Sequence, residues 1–166
     1  MPSATRELNV VLLATAWGAK HGGINSFNHD FAIGLAREGQ RAIRVFCAVL
    51  NPSALDISNA SAAHKVTLIP ILRKTEPDQL DRAWAHEVVQ ILKRDHDVHH
   101  IAWWIGHDLV SGEMAIAGRE ASPGSKVELI KHTSHIDFTG TKHADASRAV
   151  QYDREQRDLF RLADRH

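Results

Sequence analysis

Three short stretches hold residue types that bind or move charge: Ala19-Lys20-His21-Gly22-Gly23-Ile24-Asn25, Gly106-His107-Asp108 and His132-Thr133-Ser134-His135-Ile136-Asp137. The first lies between an apolar run, Leu8 to Ala14, and a periodic segment marked by Ile24, Phe27, Phe31 and Leu35. A strand, a glycine turn and a helix in that order gather backbone N–H groups at a helix N-terminus. Its unpaired donors and roughly half a positive charge suit an anion. Gly22 and Gly23 let a ligand approach the backbone closely, and Lys20 adds a mobile cation. A phosphate or a cluster of sugar hydroxyls fits such a place. Gly18, Gly22 and Gly23 match neither G-x-G-x-x-G nor G-x-x-x-x-G-K-[ST]. Two glycines are also what a tight strand-to-helix turn needs, and both readings stay open.

Asp108 is placed to cap the helix that follows it, or to contact a ligand beside His107. His132, His135 and Asp137 offer two imidazoles and a carboxylate, and His107 or Asp108 would complete a zinc-like set. That spacing matches no metal motif in a chain with 12 histidines, so no metal is expected. His132 reads either as a polar residue closing a strand or as a hydrogen-bonding group aimed into a crevice, and its position favours the second. Ser111 lacks the G-x-S-x-G context of a nucleophile elbow, which argues against a Ser-His-Asp hydrolase.

The elements that must position these groups alternate. Strands are expected at 8–15, 41–48, 65–72, 99–105 and 126–131. Helices are expected from the glycine turn to about Glu38, from Thr75-Glu76-Pro77-Asp78 through Lys93-Arg94, over 109–121, and from a Ser147 cap to about Leu162. Leu80, Trp84, Val88, Ile91 and Leu92 form one apolar stripe, and Val150, Leu159, Phe160 and Ala163 a weaker one. Asn51 to Ala63, rich in Asn, Ser and Ala, reads as a surface loop. Pro70 places the third strand at an edge, and Trp103 and Trp104 point to opposite faces as core residues. This alternation predicts an α/β fold with a doubly wound, mostly parallel Rossmann-like sheet, helices on both faces and strand order 3-2-1-4-5. In that order the three polar stretches leave the carboxyl ends of strands 1, 4 and 5, at the switch point where such sheets hold ligands.

At 166 residues the chain has the size of one domain, and 43% apolar content is ordinary for a globular one. Twenty basic and twenty acidic residues give a formal charge of zero, which argues against a nucleic-acid partner. A single cysteine, Cys47, fits a reducing compartment, and with no transmembrane run and no signal peptide the expected location is cytoplasmic.

The motifs also resemble a known family. Lys20-His21-Gly22-Gly23 resembles the Lys-x-Gly-Gly loop of glycogen synthases, and Gly22-Gly23-Ile24-Asn25-Ser26-Phe27 the Gly-Gly opening of the first helix in retaining GT-B glycosyltransferases, a group that also includes bacterial mannosyltransferases. Gly106-His107-Asp108 follows strand 4 as in relatives, and Lys131-His132-Thr133-Ser134 is similar to the segment with the family's active-site histidine. Leu162-Ala163-Asp164-Arg165 resembles an Ala-Asp-Arg that leads into a further strand. The resemblance implies that residues 1–166 form the N-terminal, acceptor-side half of such an enzyme. The C-terminal nucleotide-sugar-binding domain, with its Glu pair, is absent from this chain. It implies sugar transfer from a nucleotide-sugar donor to an acceptor with retention, without a cofactor or a protein-bound metal. His132 would be the catalytic residue near the donor sugar. Lys20, Gly22, Gly23, Asn25, His107, Asp108 and Asp137 would bind donor and acceptor. The fragment alone would be inactive, and its uncovered face and sheet edge would favour self-association. The rival expectation is a free-standing ligand-binding or regulatory module, and a weaker one a metal-dependent hydrolase using His132, His135 and Asp137.

Overall fold

In a computed structural model, which describes residues 7–39, 42–75, 77, 79–132 and 146–163, the chain forms five parallel strands in the order β3-β2-β1-β4-β5. These are β1 (Leu8–Ala14), β2 (Ile43–Leu50), β3 (Val66–Ile71), β4 (Trp103–His107) and β5 (Lys126–Ile130). The helices are α1 (Gly23–Gly39), α2 (Ala54–His64), α3 (Ala85–His96), α4 (Asp108–Ala121) and α5 (Ala146–Ala163). Single 3-10 turns precede α1, at Ala19–His21, and α3, at Arg82–Trp84. No helix among the described residues is long and apolar enough to cross a membrane.

The expected order and the helices on both faces are what the fold has. Alternation along β1 sends Val10, Leu12 and Ala14 to one side and Val11 and Leu13 to the other. The first side packs against α1 and α2, through Ala32, Ala36 and Ala60. The second packs against α3, α4 and α5, through Val88, Leu92, Met114, Ala115 and Leu159. Trp104 is fully buried on the second side and Trp103 packs against the first, as their consecutive positions require. Pro70 pairs with Val49 from the edge strand β3, where a missing N–H costs the ladder least.

Four expectations are corrected. Residues 54–64 are helix α2 rather than loop. Ser53 and Asp56 make a capping box, in which Ser53 Oγ accepts from the Asp56 N–H and Asp56 Oδ2 accepts from the Ser53 N–H, each at 3.1 Å. Only Ala60 of α2 is buried, so there was no apolar stripe to read. The segment before α3 starts at Asp81, whose carboxylate accepts from the Ala83 N–H at 2.8 Å, and not at Thr75. Strand β4 begins at Trp103 and runs through His107, so Gly106 and His107 are strand residues rather than loop. The stripe of the first helix is rotated from that expected, and the last helix keeps Leu159, Phe160 and Ala163 of its expected stripe but not Val150. In α1 the side chains of Phe27 and Phe31 are 41% and 36% exposed, while Asn25, Asn28, Ala32, Ile33 and Ala36 face inward. In α5, Val150 is exposed and Asp153, Gln156, Leu159 and Ala163 are buried.

Helix α4 lies close on β4 because three glycines leave room. A Cβ on Gly106 would come within 2.9 Å of Ala115 Cβ, and one on Gly118 within 2.3 Å of the Trp104 ring. One on Gly112 would come within 2.5 Å of Leu159. This close approach sets α4 against β4, and α5 packs on α4 and β5.

Candidate active site

The carboxyl ends of β1 and β4 are neighbours, with Leu12 opposite Ile105. From β1 the chain passes through Thr15 to Gly22 into α1. Gly18 and Gly22 have φ of 105° and 92° with extended ψ, a region that only glycine occupies readily. Asn25 braces this loop. Its Oδ1 accepts from the Ala16 N–H at 3.2 Å, and its Nδ2 donates to the His21 carbonyl at 3.0 Å and to Thr15 Oγ1 at 3.1 Å. Asn25 therefore holds the turn from within, with both ends of its amide committed to the loop. Lys20, His21, Gly22 and Gly23 stay exposed on the rim. The first N–H of α1 bonded to a carbonyl is that of Ser26, to Gly22 at 2.9 Å. Helix geometry leaves those of Gly23, Ile24 and Asn25 without an intrahelical acceptor. Lys20 and His21 lie close enough to the start of α2 to help lower the Asp56 pKa, after the larger effect of the Ser53 hydroxyl.

One turn into α1, Asn28 is fully buried and reaches the end of β4. Its Nδ2 donates to the Cys47 sulfur at 3.2 Å, which leaves Oδ1 to accept from His107 Nε2 at 2.7 Å. With Nε2 the donor, the neutral His107 ring carries a lone pair on Nδ1. His132 Nε2 lies 2.9 Å from that lone pair and donates to it. His107 is completely buried, and burial, aided by the neighbouring His132, pushes its pKa down to about 4. Burial also pushes the Cys47 thiol up to about 12, the Asn28 contact opposing this weakly, so the sulfur stays protonated and unreactive.

Asp108 opens α4 with a φ of 43° and is 2% exposed. It does not cap that helix. Its Oδ2 accepts from the backbone N–H of His132 at 3.0 Å and its Oδ1 accepts from Gln156 Nε2 at 2.8 Å. Ser111 Oγ accepts the His107 N–H at 2.8 Å instead. His132 is thus held twice, its backbone by Asp108 and its ring by His107. Its ring also meets the edge of Phe27, with centroids 4.9 Å apart, and Phe27 stacks on Phe31 at 5.7 Å.

The structure brings His107, Asp108 and His132 into one network and places Lys20, Gly22 and Gly23 on the adjoining rim of the same sheet edge. Asn25 belongs to the loop's own bracing. Asp137, like His135, lies outside the described residues. Among the described residues, no three His, Cys, Asp or Glu side chains are grouped to hold a metal ion. Asn28, Phe27 and Gln156 were missed. Asn28 and Gln156 are polar residues on the inner faces of their helices, beside the buried Asn25 and Asp153, where an apolar stripe is the usual signal.

No curated protein and no solved structure matches the chain. A family model described as Family 4 Glycosyltransferase in conflict systems matches residues 11–166, from β1 through every residue of the network above. The chain belongs to the Family 4 glycosyltransferases in conflict systems.

Proposed function

We propose that this domain supplies one wall of a sugar-transfer site, moving a glycosyl unit from a nucleotide-sugar donor to an acceptor with retention of configuration. One observation carries the reading: within the family match, the N-terminus of α1 and the doubly anchored His132 converge on one edge of the sheet. The free N–H groups of that terminus and Lys20 suit the donor's phosphates. His132, a hydrogen-bonding group beside them, suits a hydroxyl of the donor sugar. The opposite wall would come from a second nucleotide-binding α/β domain, carrying the acidic pair that the resemblance implies. Transfer of this kind uses no resident cofactor or metal.

The test is a pair of substitutions in the form of the protein that transfers sugar. His132→Ala is expected to lower kcat/KM by about ten- to a thousandfold, the scale of one or two hydrogen bonds made in the transition state. Its melting temperature should stay nearly unchanged. Lys20→Ala, at an exposed position, is expected to weaken donor binding by about 1.5–3 kcal/mol, the worth of a charge-assisted bond to phosphate. Transfer at the wild-type rate in His132→Ala would remove the histidine from the site.

A further inference from the structure

We propose that Asn28 and His107 act together as a positioning pair that fixes the tautomer of His132, so that its Nδ1 presents a lone pair and takes a hydroxyl, rather than an anionic oxygen, from the substrate. The inference rests on the sugar-transfer reading for the word substrate, and on the hydrogen-bond geometry for everything else.

The polarity is set from the far end. Asn28 spends its Nδ2 on the Cys47 sulfur, so the group it turns to His107 is its oxygen, which only accepts. His107 must donate from Nε2, and in the neutral ring its Nδ1 is then an acceptor. His132 faces that acceptor with Nε2 and must itself donate. A neutral imidazole has one N–H, so a proton on Nε2 of His132 leaves Nδ1 bare. Among the described residues Nδ1 of His132 has no hydrogen-bond partner, while the ring's other contacts, the Phe27 edge and the backbone tie to Asp108, leave the polarity alone. A bare imidazole nitrogen accepts from a hydroxyl and repels a phosphate or carboxylate oxygen. The relay therefore assigns phosphate recognition to the α1 terminus and Lys20, and hydroxyl recognition to His132. It also explains two fully buried polar side chains, Asn28 and His107, beneath a site neither needs to touch.

The direct test reads the two rings in the unmodified chain. Long-range proton–nitrogen correlation on histidine-labelled protein, at mildly alkaline pH, should show both His107 and His132 protonated on Nε2 and bare on Nδ1. A proton on Nδ1 of His132 would overturn the proposal, whatever any variant does. His107→Gln offers an amide oxygen to His132 and an amide N–H to Asn28, and should preserve the His132 signature. His107→Phe offers neither, and should give a mixture of tautomers. A pure Nε2–H signature in a folded His107→Phe would also overturn the proposal. In the transferring protein, His107→Phe should lower kcat about tenfold while His107→Gln retains most of it. If the tautomers are as expected but His132→Ala transfers at the wild-type rate, the transfer reading fails and the relay stands. If His132→Ala is inactive while its wild-type ring carries the proton on Nδ1, the relay fails and the transfer reading stands.

Discussion

At the scale of single residues, the network makes a prediction about acid. His107 titrates near 6.5 in an unfolded chain and at about 4 in the fold, because burial penalises its charged form. Between those values the unfolded chain binds more protons than the folded one, so stability rises with pH across that window. The stabilisation is whole above about pH 6.5 and is lost as the pH falls towards 4, amounting to about 3 kcal/mol if His107 acts alone. Of the groups around it, His132 faces its Nδ1 and Cys47 lies behind Asn28 as a thiol throughout. Protonation also turns Nδ1 of His107 into a donor, which breaks its bond to His132. Melting temperatures measured across this range should fall with acid, and His107→Gln should flatten the slope. A slope unchanged in that variant would show that other groups carry it. The glycine turn is testable in the same terms. Gly22 sits at φ 92°, so Gly22→Ala strains the backbone whether or not a ligand binds there. Gly23 has no such conformation, and a Cβ there would meet nothing within 4 Å. Gly23→Ala should therefore leave the melting temperature unchanged and, if phosphate approaches this backbone, weaken nucleotide-sugar binding at least tenfold by calorimetry, about 1.4 kcal/mol. Unchanged affinity would make the pair of glycines a turn and nothing more.

At the scale of elements, the strands were legible and the inner faces of several helices were not. Short continuous apolar runs rich in Val and Leu, such as Val10 to Ala14, fit strands covered on both sides, and the alternation of strands with helices then pointed to the order. The stripe of α3 was legible because its inward positions are large and apolar, Leu80 before it and Val88 and Leu92 within it. Helix α1 misled because it turns small and polar residues inward and leaves two phenylalanines half-exposed. Ala32 and Ala36 permit close packing, Asn25 is satisfied within its own loop, and Asn28 by Cys47 and His107, which no local period reveals. His132, Asp108 and His107 were legible as site candidates from topology alone, yet the bonds joining them span 24 and 25 residues and needed the fold. The α4–β4 contact shows the same limit. Gly106 in β4 and Gly112 and Gly118 in α4 receive Ala115, Leu159 and Trp104, partners that no local pattern announces. Gly118→Ala gains helix propensity but drives a methyl to 2.3 Å from a fully buried indole. The clash should win, destabilising the protein by about 1–3 kcal/mol in denaturant titration. A stabilised variant would mean that α4 moves off the sheet at little cost.

At the scale of the whole molecule, the described residues of the candidate site lie on a rim. Lys20, His21, Gly22 and Gly23 are exposed and His132 is partly so, while its supports, Asn28, His107 and Asp108, are buried. Among the described residues, the site's supports are therefore buried and its binding groups exposed. Group transfer from a nucleotide sugar needs donor and acceptor fixed against each other, and positioning of that kind is worth about 7–11 kcal/mol of barrier. It also needs water kept from the reacting carbon, or hydrolysis competes with transfer. One open wall provides neither. The described residues proposed to take phosphates and a sugar hydroxyl lie along one wall. The 166-residue chain alone is therefore expected to bind nucleotide sugars weakly and to turn none over. Mixing it with a panel of labelled nucleotide sugars and candidate acceptors, and following both transfer and release of free sugar, tests this directly. Binding without turnover is the expected result. Turnover that disappears in His132→Ala would show that this chain builds a complete site on its own, and that the proposed second wall is not needed.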